Sequence, residues 1–564
     1  MKKIIIASAF FAGFSFMFSQ ETKTDDKDLM TWYHKDFSAT KVYGINTQNA
    51  YKFLESKGLK PKTVVVGVVD SGVEVDHPGL KNNMWKNPNE VPNNGKDDDG
   101  NGYVDDIYGW SFIGGKTGDV DVDNLEVTRV VRQYKPLFEG DNSETNKANQ
   151  AKMPNEFALY LKSKDLFNKK SVEAKQQFSF YSEFAKVIPS VAATLNGKTL
   201  TKENLDAIKP TTQEEARNLA ILTQVAQDPS MQGKSQKEVE DFLNKEIKDA
   251  LDYFEPQATK QYNLDFDPRS IVGDNYQNKT EKFYGNNHYE GPDAEHGTHV
   301  SGIIAGYPQG KEIQYGVAYK VAKIMTVRAV PNGDERDKDI ANAIRYAVDN
   351  GAKVINMSFG KPVSPEKELV WDAFKYAQDK GVLLVHAAGN DNEDLELNDN
   401  FPTNFKSQKD EKPFITNMIT VGASTNNSEF LRASFSNFNK KMVDVFAPGE
   451  KIYATVPDGK YEYLQGTSMA SPVVAGASAV LLAYMPNLTP SQVIESLVKT
   501  ANKSEVNAML PTNNNNRFDL ISQSGGVIDL YKAAQYAYTN FYKAAPSVPT
   551  KKAVVKKKKV VKKK

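Results

Sequence analysis

The run Thr63-Val64-Val65-Val66-Gly67-Val68-Val69 constrains the fold of this chain more than any other segment. A continuous β-branched stretch has no polar face to turn to water, so it reads as a strand buried on both sides. A strand of that kind needs helices above and below it, and the sequence supplies both. Val321 to Val330, Val354 to Met357 and Val382 to Val385 are further short apolar runs. Between them lie helical stretches, Asp339 to Asp349 and Glu366 to Asp379, closed by Gly351 and Gly381. The alternation predicts an α/β fold with a doubly wound, mostly parallel sheet. Near the C-terminal end, Thr489-Pro490-Ser491-Gln492 predicts a helix start, with a capping threonine, proline at the first helical position and a capping-box glutamine.

The stretch from 119 to 288 has another texture. Ser235-x-x-Glu238 is a capping box, followed by Val239, Phe242, Leu243, Ile247, Ala250, Leu251 and Phe254 on one helical face. Thr212-x-x-Glu215 opens a second helix. These features predict a helical insertion within the α/β domain.

Composition narrows the setting. The 564 residues are 40% hydrophobic and 25% charged, with no cysteine, which removes disulfides, thiolate metal sites and a cysteine nucleophile. Met1-Lys2-Lys3 followed by the apolar Ile4 to Phe18 resembles an export leader, too short for the roughly 20 residues of a bilayer span. Of the 71 basic residues, nine lie in 551–564 and two in 1–3, leaving 60 against 71 acidic ones in the body. An acidic body with a polybasic tail is not the profile of a nucleic-acid binder. The expected layout is a signal peptide over 1–19, an N-terminal extension over 20–60, a discontinuous main domain over 61–118 and 289–545, the helical insertion over 119–288, and a Lys-rich disordered tail over 546–564. A monomer is expected.

Three segments carry candidate chemistry. Val69-Asp70-Ser71-Gly72 places an aspartate where the buried strand ends. His296-Gly297-Thr298-His299-Val300-Ser301-Gly302 opens a helix with a histidine. Gly466-Thr467-Ser468-Met469-Ala470-Ser471-Pro472 places a serine at a helix start. A hydroxyl is a weak nucleophile near neutral pH, so a neutral imidazole must take its proton, and a buried carboxylate must orient that imidazole. A helix N-terminus puts the serine amide and the helix dipole where an oxyanion forms. Ala387-Ala388-Gly389-Asn390, in the loop after another strand, offers a second donor at the carboxyl end of the sheet. His299, His77 and His386 are expected to be structural.

The order Asp, His, Ser with these flanks resembles the subtilisin family of serine peptidases, whose triad is a standard worked case. Asp70 matches the family's aspartate, His296 its base, Ser468 its nucleophile and Asn390 its oxyanion asparagine. Ser358-Phe359-Gly360 resembles the strand that pairs with the substrate backbone. Phe446-Ala447-Pro448-Gly449 and Gly526-Val527-Ile528-Asp529 also fit. The resemblance covers about 61–118 and 289–540, and the overall pattern resembles exported forms from Bacteroidetes-type bacteria. It implies an exported serine endopeptidase acting on polypeptides through an acyl-enzyme. Two rivals stand beside it: a silent binding protein on the same scaffold, and a serine esterase. The chain departs from the compact pattern in placing 225 residues between Asp70 and His296, an excess the insertion explains and one that could overhang the cleft. The segment from Trp32-Tyr33-His34 to Lys57 is expected to pack on the main domain.

Asp97-Asp98-Asp99-Gly100-Asn101-Gly102-Tyr103 is the first half of an EF-hand-type calcium loop, with oxygens at Asp97, Asp99 and Asn101 and the main-chain carbonyl of Tyr103. Tyr108 stands where the closing glutamate belongs, so Asp106 or Asp105 has to complete the shell. Calcium is the expected cofactor, in a structural role. The tail KKAVVKKKKVVKKK is too polar to fold and is either a solvated extension or an electrostatic tether to an anionic envelope.

Overall fold

The computed structural model describes residues 27–310, 313–511 and 516–542; the expected leader and Lys-rich tail lie outside the described residues. The strands are Val64–Asp70 (β1), Gly109–Ser111 (β2), Gly114–Gly115 (β3), Gly118–Asp119 (β4), Ala322–Arg328 (β5), Val354–Met357 (β6), Leu383–Ala387 (β7), Met418–Ser424 (β8), Val445–Pro448 (β9), Ile452–Val456 (β10), Lys460–Leu464 (β11), Asn502–Lys503 (β12) and Gly526–Val527 (β13). Nine of them form one sheet in the order β12-β13-β9-β8-β7-β6-β1-β5-β2. Every pairing in it is parallel except β12 with β13. β10 and β11 form a separate antiparallel hairpin.

β1 shows why the sheet is two-sided. Val64, Val66 and Val68 enter one core with Val300, Ile303, Val473 and Val474. Val69 enters the other, with Ile344, Ala347 and Phe374. The period of two sends alternate side chains to opposite layers. Gly67 has a specific use, since a Cβ there would stand 3.1 Å from the Ala347 Cβ. Its absence lets the helix Asp337–Asp349 lie close on the sheet. β5 ends before its apolar run does because its partner β1 ends at Asp70, whose carbonyl accepts from both the Ala329 and the Val330 amides. The helix Thr467–Tyr484 has the length and composition of a membrane span, but 94% of it is buried inside the protein. It is the central core helix, apolar on all sides because protein surrounds it.

The N-terminal segment belongs to the same core. Trp32 and Tyr33 are buried, and so are Tyr51 and Leu54 on the helix Thr47–Ser56. The Trp32 indole donates to the Lys451 carbonyl (3.1 Å) and Tyr51 to the Val317 carbonyl (3.0 Å).

The helical insertion has a core of its own, in which Tyr181, Ile188, Leu222, Val239, Leu243 and Ile247 meet. Its spine is the 40-residue helix Pro154–Ala193, packed against Gln236–Pro256. The anticipated face of Gln236–Pro256 is the one buried, and the capping box of Ser235 and Glu238 is formed. Thr212 caps Gln213–Val225 by accepting from the Glu215 amide. The stretches flanking these helices pack differently: Val120, Val272 and Tyr284 lie in the core beneath the sheet.

The second anticipated capping box, at Thr489 and Gln492, is also formed. Its helix, Pro490–Thr500, buries Val493 and Leu497 against the main core. Thr489→Ala is expected to lower stability by about 1 kcal/mol, read as a lower urea midpoint at unchanged m-value.

Candidate active site

The residues that the sequence singled out converge at the carboxyl ends of β1, β6 and β7, where a doubly wound sheet places its sites. Asp70 is the last residue of β1 and its side chain is 3% exposed. Its Oδ1 accepts from the Ser71 amide (2.8 Å) and lies 2.7 Å from Nδ1 of His296. His296 is the second residue of the helix Glu295–Ala305. Two glycines permit the close approach here, Gly297 bringing the helix onto the end of β1 and Gly72 admitting the segment that precedes the helix. A Cβ on Gly297 would lie 2.0 Å from the Gly72 carbonyl oxygen, and one on Gly72, at φ +141°, would lie 1.9 Å from the Glu290 carbonyl oxygen.

Burial opposes charge on His296 and is the largest influence on it. The Asp70 carboxylate, by charge and hydrogen bond, together with Asp293 and Glu295, outweighs that effect and raises the imidazole above its ordinary pKa. The side chain keeps 38% of its surface exposed, so solvent reaches the ring and moderates the burial penalty. A cavity of about 390 Å³ beside it is lined by Glu290, Asp293, Glu295, Asp458, Lys460 and Glu462. Burial and then neighbouring carboxylates push Glu290 and Glu295 up as well.

Ser468 is the second residue of the helix Thr467–Tyr484, after Gly466 at φ +151°. Its hydroxyl donates to the Ser358 carbonyl (3.1 Å), and the Ser358 hydroxyl donates to the Ser468 carbonyl (2.9 Å). Asn356, on β6, donates to the Ser358 hydroxyl and accepts from Ser471, fixing this junction from below. Asn390 accepts at Oδ1 from the Thr467 amide (2.8 Å) and hydroxyl (2.9 Å). Asn390, Ser468, Phe359, Gly360 and Asn400 line a second cavity of about 220 Å³. The geometry therefore pairs a buried carboxylate with an imidazole and ties a hydroxyl at a helix N-terminus to the wall after β6, with the Asn390 side chain oriented beside it; the helices that carry His296 and Ser468 pack on each other.

The other histidines stand apart from this arrangement. His299 and His386 are buried on backbone carbonyls and burial pushes them down, to about 3 and about 4. His77 sits in a turn, accepting from the Gly79 amide.

In the acidic loop, oxygens of Glu90, Asp99 and Asp106 lie within 4.8 Å of one another. Glu90 was not anticipated; it precedes the loop, and no local spacing marks it. Its Oε2 is buried without a hydrogen-bond partner. Burial, only partly offset by hydrogen bonds from Tyr346, Asn87 and Asn101, raises Asp106 to about 6. Asp97 is engaged otherwise, accepting from the Gly100, Asn101 and Gly102 amides. Asp105 accepts from Asn94 and Gly95. Asn101 donates to Asp99 and Asp106, and the Tyr103 ring packs edge-on among Trp110, Phe112, Phe283 and Tyr346.

A model of the subtilase family, peptidase S8, matches residues 61–519. The chain belongs to the subtilase family. It is 38% identical over 209 residues to a thermophilic serine proteinase of Bacillus sp. strain AK1, covering 37% of this chain and 47% of that one. It is 37% identical to subtilisin DY of Bacillus licheniformis, covering 36% of this chain and 70% of the other. Thermitase of Thermoactinomyces vulgaris is 34% identical over 43% of this chain and 75% of its own. The match thus spans less than half the length of the AK1 proteinase.

The electrostatics of His296 set a pH dependence. The imidazole must be neutral to accept a proton, and its pKa is raised in the folded protein. Any rate that depends on His296 as a base should therefore climb with pH to a midpoint above the ordinary histidine value near 6.5. Asp70→Asn should shift that midpoint downward while depressing the rate. A pH profile of kcat/KM for the two proteins checks both.

Proposed function

We propose that the chain is an exported serine endopeptidase in which Asp70, His296 and Ser468 form the catalytic triad. The observation that carries this reading is the 2.7 Å contact between the buried Asp70 and His296, with Ser468 in the first turn of a helix that packs against the helix of His296. For catalysis the Ser468 hydroxyl has to leave the Ser358 carbonyl and donate to Nε2 of His296. Ser468 then attacks the substrate carbonyl while His296 takes its proton, and Asp70 holds the ring and stabilises the imidazolium. Negative charge develops on the carbonyl oxygen. The Ser468 amide faces it, joined by Nδ2 of Asn390, whose Oδ1 is held by Thr467. His296 returns the proton to the leaving amine, and water releases the acyl group by the same route. Ser358, Phe359 and Gly360 supply the main-chain edge for the substrate. Polypeptides are the substrate class. Export rests on the leader-like N-terminus and on relatives such as the cell wall-associated protease of Bacillus subtilis, 36% identical over 39% of this chain.

Ser468→Ala and His296→Ala should each remove nearly all hydrolysis of unfolded casein. Asn390→Ala should cost about 10²–10³ in kcat, a magnitude known from subtilisin itself. Unimpaired casein hydrolysis by Ser468→Ala would overturn the assignment, and turnover of small esters alone would favour an esterase.

The acidic loop is proposed as a structural calcium site held by Glu90, Asp99 and Asp106. The donors suit a hard cation, since all are carboxylate oxygens, and the unpartnered buried Oε2 of Glu90 lacks the counter-charge a cation would bring. The ion would supply stability, not chemistry. Excess chelator should lower the melting temperature, because a ligand that binds the native state stabilises it by mass action. Glu90→Gln with Asp99→Asn should abolish the response. An unchanged melting temperature in chelator would return the loop to the status of an ordinary turn.

A further inference from the structure

The acyl side of the cleft has a measurable length. β5 and β6 both pair with β1, so they stand two strand spacings apart, about 9–10 Å. β1 stops at Asp70, whereas the chain runs on past it from β5 (329–336) and from β6 (358–361). Between those continuations lies the width of one extended peptide. The scissile carbonyl must sit by Ser468, hence beside Ser358, whose carbonyl takes the Ser468 hydroxyl. The leaving amine must lie on the side of His296. The acyl part of a substrate therefore runs from Ser358 toward Lys361.

At Lys361 the two walls are bolted together. This side chain, 2% exposed, extends from the wall after β6 and donates to the Glu335 carbonyl (2.8 Å) on the wall after β5. It also pairs with Asp337 (2.8 Å) and with Glu126 of the insertion (2.7 Å). Arg129, from the same insertion helix, donates to the Asp334 and Glu335 carbonyls. Just beyond, Lys162 of the 40-residue helix donates to the Pro362 carbonyl (3.3 Å) and to Asp399 (2.8 Å). Val363 is buried against Val127, Ala174 and Tyr262.

We infer that the insertion closes the acyl end of the substrate groove, so that recognition on that side stops at the third residue from the scissile bond. From Ser358 to Lys361 is three residues, about 10 Å for an extended substrate beside them. A fourth side chain would need the volume that Lys361, Glu126 and Asp337 fill. Longer substrates leave the cleft there without further contact. This inference rests on the peptidase reading above.

The test is a series of quenched-fluorescence peptides with a constant leaving-group side and one to six residues, N-terminally acetylated, on the acyl side. A subsite that buries one more side chain contributes about tenfold or more in kcat/KM. The expected result is a climb through the third residue, then values within about twofold for the fourth to sixth, well short of a kcal/mol-scale contact. A climb that continues by about tenfold at the fourth or fifth residue, the worth of a true subsite, would overturn the inference and leave the peptidase reading standing. No turnover of any peptide would overturn both. Lys361→Met combined with Glu126→Gln removes the bolt and should create a dependence on the fourth residue. A folded double variant with the original flat profile would show that these residues are not what ends the groove. The length series on the unaltered enzyme decides the matter by itself if the double variant does not fold.

Discussion

A carboxylate at the end of a strand sealed on both faces cannot stay charged without partners, and that requirement organises the rest of the molecule. Asp70 is almost fully buried, and burying an unpaired charge costs several kcal/mol. Its Oδ1 accepts from its neighbour's amide and meets an imidazole 226 positions away, while Oδ2 is buried without a hydrogen-bond partner among the described residues. The second partner must be delivered by a helix that comes close enough to the end of β1 for main-chain contact, hence the glycine at 297. Everything between the two residues must return the chain to within one hydrogen bond of where it left. The entropy of closing so long a loop grows only logarithmically with its length. An insertion with its own core is therefore tolerated where a floppy one of equal length would contribute nothing to order.

What the sequence made legible was whatever is encoded locally. The unbroken run at 63–69 showed a two-sided strand, and alternate valines do enter opposite cores. The capping boxes at 235 and 489 were readable because donor and acceptor sit three residues apart. The cleft residues were readable because each stands at a strand end or helix start with small neighbours. What was not legible has partners distant in sequence. Glu90 joins Asp99 and Asp106 through a folded turn, not through a spacing. Lys361 follows a recognisable strand, yet nothing nearby in the sequence announces that its ammonium crosses to Glu335 and Glu126. The flanks of the insertion misled for the same reason: Val120, Val272 and Tyr284 read as part of a helical region but serve the core beneath the sheet.

The junction between insertion and sheet is ionic to an unusual degree. Glu126 is held below its ordinary range; burial opposes this, and Arg129 and Lys361 overcome it. Asp123 pairs with Arg336 (2.7 Å), Asp339 with Arg269 (2.6 Å) and Asp274 with Lys338 (2.6 Å), all nearly sealed from water. Buried pairs like these add little net stability over an apolar contact of the same shape, but removing one member leaves a charge stranded. Their contribution is to position. An apolar seam tolerates sliding by a fraction of a side chain, whereas a bidentate guanidinium–carboxylate pair fixes distance and orientation together.

That distinction bears on why the seam lies where it does. The insertion meets the sheet at the loop after β5 and at the segment after β6, the two walls of the proposed substrate groove. A sub-ångström change in their separation would alter every main-chain hydrogen bond made to that substrate, and misplacement of about 1 Å can cost a hundredfold in rate. Walls built from loops are the least rigid part of such a fold. This chain has no disulfides with which to brace them. Cross-bracing by Lys361, Arg129 and Arg336 does so without covalent links, and it holds as long as the carboxylates remain ionised. On that argument the insertion is a brace for the groove as well as its end wall, because the contacts that shorten the acyl side are the same ones that keep its two edges parallel.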